Sequence, residues 1–291
     1  MQPPLRVSRN CTILQWNKPL KKWKKWTEPE STFCKILEDE LFDHFSRIFQ
    51  QRKRTDLTIP TEVPLYNDSD TEDQNPFTWE FTPEEVWTRL HHCSNPTWGL
   101  DGINYSQWKK NDRGGYALNA VFNAIHRLGY IPQAWGRPVT ILINKKGNES
   151  DISNWLSITL SNTIAKLYSS ILAIRLGRWA ARNERISNAP KGLVSVDGCC
   201  KRNFALQAAI VDARCSRRQC LIAWLHLTNA FGSISHITIF ISLQRAGLCE
   251  DAISVIHCLY AINITTICSH QGLTPHISIQ AGVNQGCLWA L

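Results

Sequence analysis

The chain has 291 residues, 43% of them apolar and twelve of them tryptophan, and a formal net charge of +8. That length admits one large domain or two ordinary ones with a packed core, and no run approaches the ~18 uninterrupted apolar residues of a membrane span. Eleven irregularly spaced cysteines without a C-x-x-C, behind an opening MQPPLRVSRNC that lacks an apolar signal stretch, argue against a disulfide scaffold, a zinc ribbon or secretion, so an intracellular chain with reduced thiols is expected.

Residues 16–26, WNKPLKKWKKW, interleave five lysines with Trp16, Trp23 and Trp26. Such a segment holds a phosphate backbone and stacks on bases, or is an exposed basic helix whose tryptophans pack on the body. Thr27 and Glu30 form a capping box expected to open a helix with the stripe Phe33, Ile36, Leu37, Leu41, Phe45, Ile48 and Phe49. QRKRT ends it, and residues 55–75, rich in Pro, Asp, Ser and Thr, read as a linker. FTPEEVWTRLHHC starts another helix, with Thr82 as N-cap, Pro83 in the first turn and Glu85 closing the box. NPTWGLDGINY reads as a loop, and Leu118, Val121, Phe122, Ile125 and Leu128 make a helical stripe that Gly129 terminates.

RPVTILINKKGN predicts a strand from Val139 to Ile143 running into a basic turn. A long helix from Ser161 to Arg182 is expected to bury Ile164, Leu167, Tyr168, Ile171 and Leu172, and another to cover Lys201 to Arg214. The apolar run Leu221–Leu225 reads as a buried strand that stops at His226. Helices near 236–246 and 250–260 precede a hairpin-like pair, NITTICS and HISIQAG. Long helices around a few non-adjacent strands fit an α+β fold better than a doubly wound sheet. No G-x-G-x-x-G follows a strand, and NKKGNES lacks the glycines of a P-loop.

Charge divides unevenly. Residues 1–54 hold 12 Lys/Arg and 6 Asp/Glu, residues 55–114 hold 4 and 11, and residues 115–291 hold 16 and 7, giving +6, −7 and +9. A polyanion such as nucleic acid is the natural partner of the basic regions, unless these are ordinary solvated lysines and arginines. After Asp212 the only carboxylate side chains are Glu250 and Asp251, placed to cap a helix. A mechanism that needs several metal-binding carboxylates there has little to work with.

Five stretches, in order, resemble the reverse transcriptase of non-LTR, type-1 site-specific retrotransposons. They are FTPEEVWTRL…NPTWGLDGINYSQWK, ILINKKGNESDISNWLSITLSNTIAKLYSSILAIRL, ISNAPKGLVSVDGCCKRNFALQAAI, AWLHLTNAFGSISH and AGVNQGCLWAL. The resemblance spans residues 76–291 and implies right-hand polymerase fingers and an incomplete palm there, with a core over about 125–291. Residues 1–75 would be an N-terminal extension, a basic Trp/Lys-rich helical part followed by an acidic linker. The implied reaction is nucleotidyl transfer by an RNA-directed DNA polymerase, with an RNA template and a DNA primer as partners and no membrane. Its cofactor is Mg²⁺, a hard cation that prefers oxygen ligands; two such ions align the primer 3′-hydroxyl with the triphosphate.

Several positions depart from the family. His226 stands where the palm motif, Leu-Asp-Leu, supplies the first metal-binding aspartate. An imidazole offers one nitrogen and suits Zn²⁺ better than Mg²⁺. The paired-aspartate motif would come beyond the Gln-Gly-Cys block, and the sequence runs to Leu291. Leu156, in Asn154-Trp155-Leu156-Ser157, replaces the arginine that grips the triphosphate, and Leu100 stands in the family's Gly-Pro-Asp-Gly. The expectation is therefore a catalytically dead polymerase fragment that binds no Mg²⁺ productively, the alternative being a non-enzymatic nucleic-acid-binding relic.

The resemblance leaves a set of binding residues. Lys145 and Lys146 are phosphate contacts or a solvated turn. Phe231 matches the aromatic that packs under the sugar, or is core. Gln285 and Gly286 match the nucleotide and template contacts, or form a polar turn. Asp101 suits loop capping better than catalysis. In the palm, strand 220–226 is expected beside the pair near 263–281, with one apolar edge bare.

Overall fold

The computed structural model describes residues 34–50, 75–94, 98–145, 147–185, 198–223, 232 and 234–283. The basic segment 16–26, the capping box at Thr27 and most of the linker lie outside the described residues. So do Lys146, His226, Phe231, Gln285 and Gly286.

Helix α1 spans Glu38–Phe49. It begins later than its apolar stripe suggests, because Leu37 is extended, with ψ of 147°. Glu38, Asp39 and Glu40 fill the first turn, where negative charge meets the positive end of the helix dipole. Residues 34–37 dock on the loop near 270 instead: the His270 N–H donates to the Cys34 carbonyl at 3.4 Å and the Glu38 N–H to Gln271 Oε1 at 3.1 Å.

α2 is Pro83–His92, with Thr82 Oγ1 accepting from the Glu85 N–H at 3.2 Å. The Glu85 carboxylate does not close the box; it is taken by an arginine described below. α3, Tyr105–Asn111, follows a loop and carries a full capping box between Asn104 and Gln107. α4, Tyr116–Leu128, buries Leu118, Phe122 and Ile125, whereas Val121 and Leu128 are exposed. At 100° per residue those two fall on the flank of the buried face, so the expected stripe is narrower than the sequence suggests.

Strands β1 (Val139–Asn144) and β2 (Trp155–Leu160) pair antiparallel from Val139 opposite Leu160 to Asn144 opposite Trp155. α5 spans Thr163–Arg182, α6 Gly198–Cys215, α7 His236–Arg245 and α8 Glu250–Ala261. β3 (Ile264–Ile267) lies parallel to β1, and β4 (Ile277–Ser278) antiparallel to β3, giving the sheet order β2-β1-β3-β4. The fold is α+β. The described start of the apolar run departs from expectation: Leu221–Ala223 form no strand, and Leu221 is 98% exposed, while Trp224–His226 lie outside the described residues. An apolar run becomes a strand only where a sheet edge accepts its backbone. Here the hairpin pair docks through β3 on β1, and β3 is paired on both sides, by β1 and β4. No described helix is long and apolar enough to cross a membrane.

Two cores result. α1 covers one face of the sheet, packing Leu41 and Phe45 with Leu142, Trp155, Ile267 and Ile277. A row of buried hydroxyls crosses that face, Thr140 Oγ1 lying 3.0 Å from Thr159 Oγ1 and 2.8 Å from Thr265 Oγ1. The larger core joins α2, α4, α5 and α8 through Val86, Leu90, Phe122, Leu167, Tyr168, Leu172 and Ile256. Between Thr163 and Leu172 every α5 residue except Ile164 is buried, and burial pushes the Tyr168 hydroxyl up to about 12.

Arg175 ties these helices together. Its guanidinium donates to both Glu85 carboxylate oxygens at 2.9 and 2.6 Å and to the Trp79 and Glu80 carbonyls at 2.6 and 3.1 Å. It also lies 4.5 Å from the Phe81 ring centroid. The Arg175 side chain is 10% exposed and that of Glu85 25%, so removing Glu85 leaves a largely buried cation without its carboxylate, at a cost of about 3 kcal/mol, whereas removing Arg175 leaves a partly solvated carboxylate. Arg175→Ala and Glu85→Ala are each expected to lower the unfolding free energy measured by urea titration, Glu85→Ala by about that amount. The double variant should cost much less than the sum of the two.

Candidate functional site

The loop between β1 and β2 is built by short-range hydrogen bonds. The Gly147 N–H donates to Asn144 Oδ1 at 3.2 Å, the Ser150 N–H to Asn148 Oδ1 at 3.1 Å and the Ser153 N–H to Asp151 Oδ1 at 2.9 Å. Trp155 Nε1 donates to the Glu149 carbonyl at 3.1 Å. A Cβ on Gly147 would stand 2.4 Å from the Asn154 side chain, so only glycine closes this loop without displacing Asn154. Lys145 extends from the end of β1, its backbone N–H on the Asn154 carbonyl at 2.7 Å and its Nζ 3.4 Å from the Ser153 carbonyl. The ammonium is exposed and able to meet a phosphate. The same loop, however, carries Glu149 and Asp151, and hydrogen bonds from Ser153 hold the Asp151 carboxyl below its ordinary range. The loop is therefore a charge-balanced, ordered turn rather than a purely cationic one.

Leu156 lies opposite Ile143 on the sheet face away from α1 and is 37% exposed. Asp101 caps its own turn: Oδ1 accepts from the Ile103 N–H at 3.2 Å, while the Gly102 N–H closes on the Gly99 carbonyl at 3.1 Å. α5 begins beside this turn, Thr163 Oγ1 donating to the Ile103 carbonyl at 2.9 Å and accepting from Trp108 Nε1 at 3.0 Å.

A second convergence involves the segments that flank the candidate residues 226–231 and 285–286. Ser235 bridges Ala281, the Gly282 N–H donates to the Ile234 carbonyl at 2.6 Å, and His236 Nε2 lies 2.9 Å from the Gly282 carbonyl. Beside it a recess of about 50 Å³ is lined by Trp135, Ser161, Lys166, Tyr260, Asn263 and Val283, among others. Lys166 is 6% exposed. Hydropathy places Lys166 on the surface of an amphipathic helix; the all-round burial of α5 is what brings it inside. His236 reads in the sequence only as a helix start, and no local signal marks its reach to a residue 46 positions away.

Among the described residues no group of three or more His, Cys, Asp or Glu could hold a metal ion. Glu250 and Asp251 occupy the first turn of α8 and are exposed, serving the helix dipole.

No family model matches the chain. It is similar to curated Pol polyproteins of R2 retrotransposable elements. One from the type-1 element R2 of Popillia japonica is 32% identical over 167 residues, 57% of this chain and 23% of that protein. Another from the type-1 element of Nasonia vitripennis is 25% identical over 170 residues, 58% of the chain and 16% of that protein. A type-2 element protein, R2DM of Drosophila melanogaster, is 23% identical over 215 residues, 70% of the chain and 19% of that protein. The chain thus spans less than a quarter of the length of these relatives. It is an α+β protein related to retrotransposon Pol polyproteins. The R2 elements that encode these relatives are non-LTR retrotransposons of the kind its motifs resemble, and the similarity extends over 57–70% of this chain.

Burial holds the His44, His126 and His236 imidazoles below their ordinary range. The unfolded chain binds protons at these positions first, so stability is present above pH ~6.5 and falls as pH drops below it. Urea midpoints at pH 7.5 should exceed those at pH 5.5. Replacing His126 with Asn should reduce that difference.

Proposed function

We propose that the chain is the fingers and the beginning of the palm of an R2-type RNA-directed DNA polymerase that has lost its catalytic metal site and retains nucleic-acid binding. The observation that carries this reading is the similarity to R2 Pol polyproteins over more than half of the chain. In this reading β1, β2 and α5 belong to the fingers, and the convergence of 234–236 with 281–283 belongs to the palm. Lys145 and Lys146 contact phosphates, Phe231 packs under the incoming sugar, and Gln285 and Gly286 meet the nucleotide and template strand. His226 replaces the first metal-binding aspartate. With an imidazole at position 226, the Mg²⁺ site lacks the hard oxygen ligand that this position supplies in the family. No catalytic step can be assigned to this chain.

Primed template RNA, labelled deoxynucleotides and Mg²⁺ provide the test. No extension is expected from the 291-residue chain, nor from His226→Asp alone, since one restored ligand leaves the second ion without its carboxylates. Extension is expected only when His226→Asp is joined to the downstream part of a relative's polyprotein. Template-dependent extension by the unmodified chain would overturn the reading.

The excess of 16 Lys/Arg over 7 Asp/Glu in residues 115–291 further supports binding to single-stranded RNA with little sequence preference. Log affinity should fall against log salt with a slope of about −0.7 for each phosphate contacted. A flat salt titration, or no binding at ~50 mM salt, would count against retained binding.

A further inference from the structure

Gly282 is held more tightly than a surface turn requires. Its N–H and its carbonyl are both bound by the segment 234–236, the first by the Ile234 carbonyl at 2.6 Å and the second by His236 Nε2 at 2.9 Å. Its φ of +85° is a conformation that glycine adopts without strain. A Cβ there would stand 2.6 Å from Gly232 Cα, so the two strands of chain meet backbone to backbone. On the other side of the imidazole the Tyr260 ring packs edge-on, with centroids 4.6 Å apart at 65°. Ser235 Oγ accepts from the Thr238 N–H at 3.2 Å and fixes the start of α7, which sets where His236 stands. A carbonyl accepts only from a proton-bearing nitrogen, so the imidazole must carry its proton on Nε2.

We propose that His236 is a positioning residue, whose Nε2–H locks the Gly282 carbonyl and so sets the backbone at Gly282–Val283 from which the chain runs on to Gln285 and Gly286. What that segment does rests on the polymerase reading; the contact itself does not. The consequence is that the described ends of the two segments named by the family resemblance, residues 234–236 and 281–283, form one unit. His236 supplies a long-range side-chain hydrogen bond between them. The packing contribution of the ring and the contribution of its hydrogen bond are separable, because phenylalanine keeps the ring against Tyr260 and lacks the donor. Glutamine lacks the ring but carries an amide nitrogen about as far from the backbone as Nε2.

The experiment uses the whole 291-residue chain. Nitrogen-15 spectroscopy of the unmodified protein should find His236 as the Nε2–H tautomer; an Nδ1–H tautomer would overturn the proposal whether or not any variant folds. In hydrogen exchange, His236→Phe should speed the Gly282 amide by about three- to tenfold, the loss expected of one net hydrogen bond. α8 should be unchanged, and His236→Gln should restore slow exchange. Unchanged exchange in His236→Phe, an equal rise throughout α8, or a glutamine variant that behaves like phenylalanine would each overturn it. The polymerase reading fails or stands on extension and RNA binding, so the two outcomes are independent.

Discussion

A buried guanidinium organises the helical layer. Arg175 uses its planar fork on the Glu85 carboxylate and on two backbone carbonyls, and its face on Phe81. A lysine could not do this, because a single ammonium cannot make the bidentate contact and the stacked one together. The arrangement binds α2, the chain at 79–81 and the middle of α5 into one piece. α5 then carries that rigidity about three turns back along its axis. There Thr163 meets the loop before α3, and Lys166 lines the recess beside Val283. The candidate loops are thus mounted on a helix whose position is over-determined by charge, hydrogen bonds and packing. That is the condition under which a loop can hold a functional geometry.

The sheet contributes a different kind of order. Three threonine hydroxyls in a row, on Thr159, Thr140 and Thr265, satisfy one another across adjacent strands in a face otherwise covered by α1. A buried hydroxyl without a partner is costly, so this row favours the register in which the three strands align. It also joins the β1–β2 hairpin to β3, an element more than a hundred residues later in the chain. The row that ties the ends of the described fold together is thus polar, set within an apolar face.

Much of this order is visible in the sequence where the signal is local. α2, α5, α7 and α8 follow from caps and apolar spacing, and the Asp101 turn from an Asx residue beside glycine. The start of α1 and the identity of β2 are less legible. Thr27 and Glu30 have the chemistry of a cap, but an extended segment at 34–37 is held by Gln271 and His270, partners no local pattern reveals. β2 lacks clean alternation because two of its three residues on the α1 face, Ser157 and Thr159, are polar, opposite Leu142 and Thr140, while Leu156 lies on the other face. Leu221–Ala223 show the opposite error: β propensity alone does not make a strand where the backbone pairs with no sheet. Contacts such as Arg175 with Glu85 and His236 with Gly282 span 90 and 46 positions, and they exist only once the helices have packed.

Positions that depart from the polymerase family bear on how such a chain keeps its fold. Leu100 is 61% exposed and Leu156 is 37% exposed. Scattered surface leucines of this kind cost little stability. The elements that hold the structure are a separate set: the Arg175 clamp, the threonine row, the apolar faces of α4 and α5, and the closed turn at Gly282. On the proposed function, chemistry and scaffold are therefore nearly disjoint in this molecule. Substitutions that abolish nucleotidyl transfer leave every one of those contacts in place, and a surface able to hold a nucleic acid can outlast the reaction it once served.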